Sequence, residues 1–242
     1  SVVGIPLGSI LGTEFGWRAT FFVMAGLSAV SCIGVLLSLT RGMRVEPLQF
    51  SSWVAVFKNP VLLCIMLVTL LSMSGQFTVV SYLAPILREA FAATPNNIAL
   101  MFGIFGVAGV LGNYLATKAI GRFGVDRAVL VALYFLLAGL GMFGVFFGNY
   151  ILGCIACFIW GLGTFSSNSM QQSRLVGIAP TLAAATVALN TSAVYLGQSV
   201  GAATGGFAIK NSISANVVWM ALGFLVLAVA LSVTATRLAA RR

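Results

Sequence analysis

The chain has 242 residues, 60% hydrophobic and only 7% charged, with a formal net charge of +9 and no histidine. A water-soluble domain carries roughly a quarter charged residues, so this chain could not cover its own surface in water. The basic surplus does not indicate nucleic acid either, because the cations stand at the ends of long apolar runs and form no patch.

In chain order, residues 1–12 are apolar but shorter than the roughly 20 residues that cross a bilayer as a helix. They begin without Met and without the basic stretch of a signal peptide, so they read as the end of a helix and the chain as a fragment. The uncharged intervals that follow give seven complete helices, at residues 19–39, 60–83, 98–117, 128–147, 150–170, 182–209 and 215–236. The interval between Arg127 and Arg174 is long enough to cross twice, with Gly148-Asn149-Tyr150 as the turn. The fold class is an all-α polytopic membrane protein. Of the 13 Lys and Arg, all but Arg18, Arg88 and Lys210 fall on one side, the side of residues 41–59 and of the C-terminus. That side is expected to be cytoplasmic. The polar stretch with Glu46, Pro47 and Gln49 is a linker, so the expected domains are residues 1–41, a cytoplasmic linker at 42–59, and a six-helix bundle at 60–242. Two bundles around a linker suit a transporter that rocks about a midplane site.

Cys154 and Cys157 form a C-x-x-C inside an apolar run. With no histidine to complete a metal site, they and Cys32 and Cys64 read as small hydrophobes, and no metal or other cofactor is expected. Glu14, Glu46, Glu89 and Asp126 are the only acids, all in loops or at interfaces. Nothing within a span supports acid–base chemistry, so an enzyme is not expected.

The segments Val3-Gly4-Ile5-Pro6-Leu7-Gly8, Gly12, and Phe15-Gly16-Trp17-Arg18 resemble the fifth and sixth helices of drug and sugar efflux permeases of the major facilitator superfamily. Gly121-Arg122-Phe123-Gly124 with Asp126-Arg127 resembles the second-half copy of that family's cytoplasmic loop motif, with Gly121 where Asp is usual. Ala188-Leu189-Asn190-Thr191-Ser192 and Leu196-Gly197-Gln198 resemble its eleventh helix in the arabinose-efflux group. The resemblance implies a partial major facilitator fold running from the fifth helix to the C-terminus. It also implies an antiporter role for Gly4, Pro6, Gly8 and Gly12, and a gating role for Arg122, Asp126 and Arg127.

Two features come from the residues alone. Gly4, Gly8 and Gly12, and again Gly197, Gly201 and Gly205, are spaced four apart and share a helix face, which lets helices approach closely in lipid. Gly103, Gly106, Gly109 and Gly112 give a further small face. Uncharged polar residues inside spans face a partner or a cavity. Gln76 (with Thr69 and Ser72), Asn168 (with Thr164 and Gln171), and Thr191, Tyr195 and Gln198 form three such faces and are the candidate substrate contacts. Together with these faces, the resemblance implies secondary active efflux of a small amphipathic compound or sugar, coupled to a proton, in a bacterial inner membrane and relevant to multidrug resistance. The expected partners are the bilayer, the substrate, the proton and the missing N-terminal half, which would hold the coupling carboxylate. A non-transporting membrane protein, a sensor or an assembly subunit, is the alternative.

Overall fold

The computed structural model describes residues 8, 11–12, 15–38, 50–211 and 216–240. The chain divides into two compact units, Ser1–Pro47 and Leu48–Arg242. In the first unit, α1 (Trp17–Ser38) buries none of its residues, and apolar side chains surround it, as on a helix bathed in lipid. Gly4 and Pro6 of the glycine block, and Glu14, lie outside the described residues.

The second unit holds α2 (Phe50–Lys58), α3 (Pro60–Val80), α4 (Leu83–Phe91), α5 (Pro95–Phe123), α6 (Val125–Val145), α7 (Tyr150–Ile178), α8 (Ala183–Lys210) and α9 (Val217–Ala239). Local chemistry explains most of the boundaries. Asn59 and Thr94 cap α3 and α5 through side-chain oxygens, and each is followed by a proline at the first helical position, where its missing N–H costs nothing. Asn149 caps α7 by accepting from the Leu152 N–H at 3.1 Å. Gly148, at φ 93, turns the chain just before it, a backbone angle that favours glycine.

The expected helices are therefore present, with three differences. First, α2 occupies the second part of the stretch read as linker, with Val56 buried. Second, the helix expected at residues 60–83 breaks after Val80, and the short α4 follows it. Third, α5 and α7 run to 29 residues each, about 44 Å at 1.5 Å per residue. The hydrocarbon is only about 30 Å thick, so charge marks where the lipid ends and not where the helix ends.

Among the described residues, six helices are long and apolar enough to cross a membrane. α8 has 28 residues but is not among the six. Thr, Asn, Ser, Gln and Gly dilute its hydropathy, although its length is ample.

α3 packs along both α8 and α9, α6 along α7 and α9, and α5 along α7. The main apolar core includes Leu133, Leu136, Leu140, Phe143 and Trp160. Phe105 meets Trp160 edge-on, with ring centroids 5.0 Å apart. A smaller core gathers Val56, Leu62, Ile65 and Leu175.

Candidate functional site

The α3–α8 seam is built from glycine. A Cβ on Gly197 would run into the Leu70 carbonyl oxygen, on Gly201 into that of Ser74, and on Gly205 into that of Thr78. Matching four-residue steps on both helices mean that they run side by side in the same direction. Tyr82 ties this seam further along, its hydroxyl donating to the Ala202 carbonyl at 3.0 Å.

Polar groups are bound into the same seam. Thr69 Oγ1 donates to Asn190 Oδ1 at 2.7 Å, and Asn190 Nδ2 donates to Asn168 Oδ1 at 3.4 Å. One chain of side chains thus links α3, α8 and α7. Ser72 donates to the Thr69 carbonyl, and Gln76 Nε2 to the Ser72 carbonyl. Gln76 Oε1 and both amide atoms of Gln171 are buried without a hydrogen-bond partner.

The five candidate contacts therefore divide. Gln76 is only 1% exposed and sits with half-buried Asn168 in the braced interior. Tyr195 is 64% exposed, Thr191 is exposed and Gln198 half-buried, all turned off the glycine face. The six-helix unit does not bring Gln76 and Tyr195 onto one surface. Asn190, absent from the candidates, is the residue that joins Thr69 on α3 to Asn168 on α7. It lies seven residues before Gly197, on the packed face, and that phase was the signal for it.

The loop motif has its own geometry. Asp126 Oδ1, at the start of α6, lies 2.6 Å from Arg174 Nε near the end of α7. Arg174 also donates through Nη2 to Thr236 Oγ1 at 2.9 Å and through Nη1 to Ser232 Oγ at 3.4 Å, both on α9. Arg174 was read only as one of the cations of the basic side, and the structure buries it to 1% exposure. It continues the polar face of α7 through Asn168 and Gln171, which was the available signal. Asp126 therefore pairs inside its own bundle. Arg122 instead lies over the Phe123 ring, 5.4 Å from its centroid, and Arg127 is exposed.

In the glycine block of the first unit, Cβ atoms on Gly8 and Gly12 would each meet Thr20 at 3.7 Å, an ordinary contact. Along α5, Gly112 lies against the Leu162 backbone and Gly109 against the Phe165 ring, whereas Gly103 faces open space.

This helical bundle, tied by glycine seams and buried polar links, is that of a polytopic membrane protein. Residues 1–202 match the Major Facilitator Superfamily, and the chain belongs to it. It is 30% identical to the inner membrane transport protein YdhP of Escherichia coli K12, over 87% of this chain and 54% of that protein. It is 26% identical to a probable sugar efflux transporter of Helicobacter pylori (strain ATCC 700392 / 26695), over 87% of this chain and 54% of that one. The chain thus spans about half the length of the curated relatives it matches. Among solved structures, it superposes on a bacterial homologue of the iron transporter ferroportin, in an outward-facing state, with a TM-score of 0.66 at 19% identity. That match covers 94% of this chain and 61% of the other. A bacterial homologue of the lysosomal transporter Spinster gives a TM-score of 0.61 at 16% identity, covering 97% and 64%. At such identities the likeness concerns the fold. The chain is an integral membrane protein, and its family points to transport and not to catalysis.

Proposed function

We propose that this chain belongs to a proton-coupled exporter of a small amphipathic compound or sugar, working by alternating access in the bacterial inner membrane. Residues 1–41 belong to one bundle, residues 42–59 bridge on the cytoplasmic side, and residues 60–242 form the second bundle, with a cytoplasmic C-terminus. α8 carries this reading. It is long enough to span, too polar to lie wholly in lipid, and packed by its glycine face on α3. Thr191, Tyr195 and Gln198 are left off that seam, where polar groups in a span belong to a water-filled path. Asn168 braces this wall from behind through Asn190, and Gln76 lies buried in the same interior. The sugar efflux relative supports the substrate class. The Asp126–Arg174 tie fixes the start of α6 to its bundle, so the loop with Arg122 and Arg127 gates by moving with the whole unit. The acids of this segment do not carry the driving proton.

The test uses the intact transporter in cells supplied with labelled sugars and amphipathic dyes. Tyr195→Phe and Gln198→Ala are expected to reorder the exported compounds at unchanged protein level. Equal loss for every compound, following protein level, would defeat the reading. Joint neutralisation of Glu14, Glu46, Glu89 and Asp126 is expected to leave pH-gradient-driven transport in place. Its abolition by Glu89→Gln alone, with folding preserved, would overturn the assignment of the proton.

A further inference from the structure

An open furrow runs between α5 and α6, floored by α7. Its lining is apolar except for Ser166, whose hydroxyl is already bonded to the Leu162 carbonyl at 2.7 Å. The furrow therefore offers nothing to water and suits a hydrocarbon chain.

Both walls end in arginine at the same end. On α5, Leu115 and Ala119 line the furrow, and Arg122 follows Leu115 by seven residues, on the same face. On α6, Val131 and Phe135 line it, and Arg127 precedes Val131 by four, again on the same face. The Phe123–Gly124 turn joins the two walls, which brings these arginines to one mouth. The nearby acid, Asp126, is engaged by Arg174 from the bundle interior. Arg122 and Arg127 have no ion-pair partner among the described residues, and Lys118, over the Tyr114 ring, adds a third cation beside them.

We propose that this furrow binds an anionic phospholipid, one acyl chain lying between α5 and α6 and the phosphate held between Arg122 and Arg127. Apolar lining alone would accept any lipid. The two uncompensated arginines at its mouth select for negative charge, as basic pockets between membrane helices do. The inference concerns a different face of the bundle from the transport path and does not rest on the substrate.

The experiment is native mass spectrometry of the intact, detergent-purified transporter titrated with phosphatidylglycerol or phosphatidylcholine. Phosphatidylglycerol is expected to be retained about tenfold more than phosphatidylcholine. Arg122→Gln with Arg127→Gln, both exposed and so expected to fold, should bring the two lipids to parity. Ala119→Phe, which fills the furrow, should reduce retention of both lipids. Glycerol phosphate without acyl chains should not compete. Equal retention of the two lipids by the unaltered protein, or a preference that survives the double arginine variant, would overturn the proposal. So would competition by glycerol phosphate. A photoreactive side chain placed at Ala119 is expected to label lipid, and labelling of another protein segment would show that a helix fills the furrow instead.

Discussion

Two glycine stripes with the same four-residue spacing make different demands on the structure. In α8, Gly197, Gly201 and Gly205 each lie against a backbone carbonyl of α3. A carbonyl in a helix cannot swing aside as a side-chain tip can. In the first unit, Gly8 and Gly12 have room for a methyl group beside Thr20. Equal spacing in sequence therefore says that a small face exists, but not that the face is tightly covered. That depends on the helix across from it.

The strongest way to break this contrast is to overfill both stripes. Gly201→Leu is expected to abolish the monodisperse peak in size-exclusion chromatography, because the side chain would enter the Ser74 backbone. Even Gly201→Ala should cost about 1–3 kcal/mol as an overpacking change. Gly8→Ala should leave the peak and the thermal midpoint nearly unchanged. Equal loss from Gly8→Ala and Gly201→Ala would remove the distinction.

The arginines sharpen it next. Arg174 and Arg122 were both read as cations of the basic membrane side, yet Arg174 is buried and bound to Asp126, Ser232 and Thr236. Asp126→Ala strands a buried guanidinium, for which a fully buried pair would lose about 3–5 kcal/mol. Water reaches Asp126, so the loss should be smaller than that but above the ~0–1 kcal/mol of an exposed pair. Thermal unfolding in detergent should therefore show a clearly lowered midpoint for Asp126→Ala, partly restored by adding Arg174→Met. Arg122→Gln should stay within about 0.5 kcal/mol of the parent, as most surface changes do.

The smallest contrast lies between neighbours on α8. Asn190→Ala removes the group that links Thr69 to Asn168 and should cost about 1–3 kcal/mol, the desolvation penalty of the unpaired partners it leaves. Thr191→Ala, one residue on, loses only a bond to its own helix at the Val187 carbonyl and should be nearly silent in the same melt. Matching shifts for the two would mean that the Thr69–Asn190–Asn168 chain contributes nothing to the seam.

These pairs show how far the sequence could be read. The described spans were legible because crossing a bilayer requires an unbroken apolar length, a property of consecutive residues. The turn at Gly148 depends on the residues beside it and was equally local. The glycine face of α8 was visible as a pattern, and so were the polar faces of α3, α7 and α8. Which faces became interior was not visible, because that depends on which helix lies opposite. Gln76 and Tyr195 share a polar character in sequence, but one faces α3's packed neighbours and the other does not. Arg174 looked like any cation at a membrane edge until α9 placed Ser232 and Thr236 beside it. Sequence by itself determined that the chain is helical, where its spans fall and which side chains are small or polar. The tertiary structure decided which of them are enclosed, because burial and pairing belong to contacts between helices far apart along the chain.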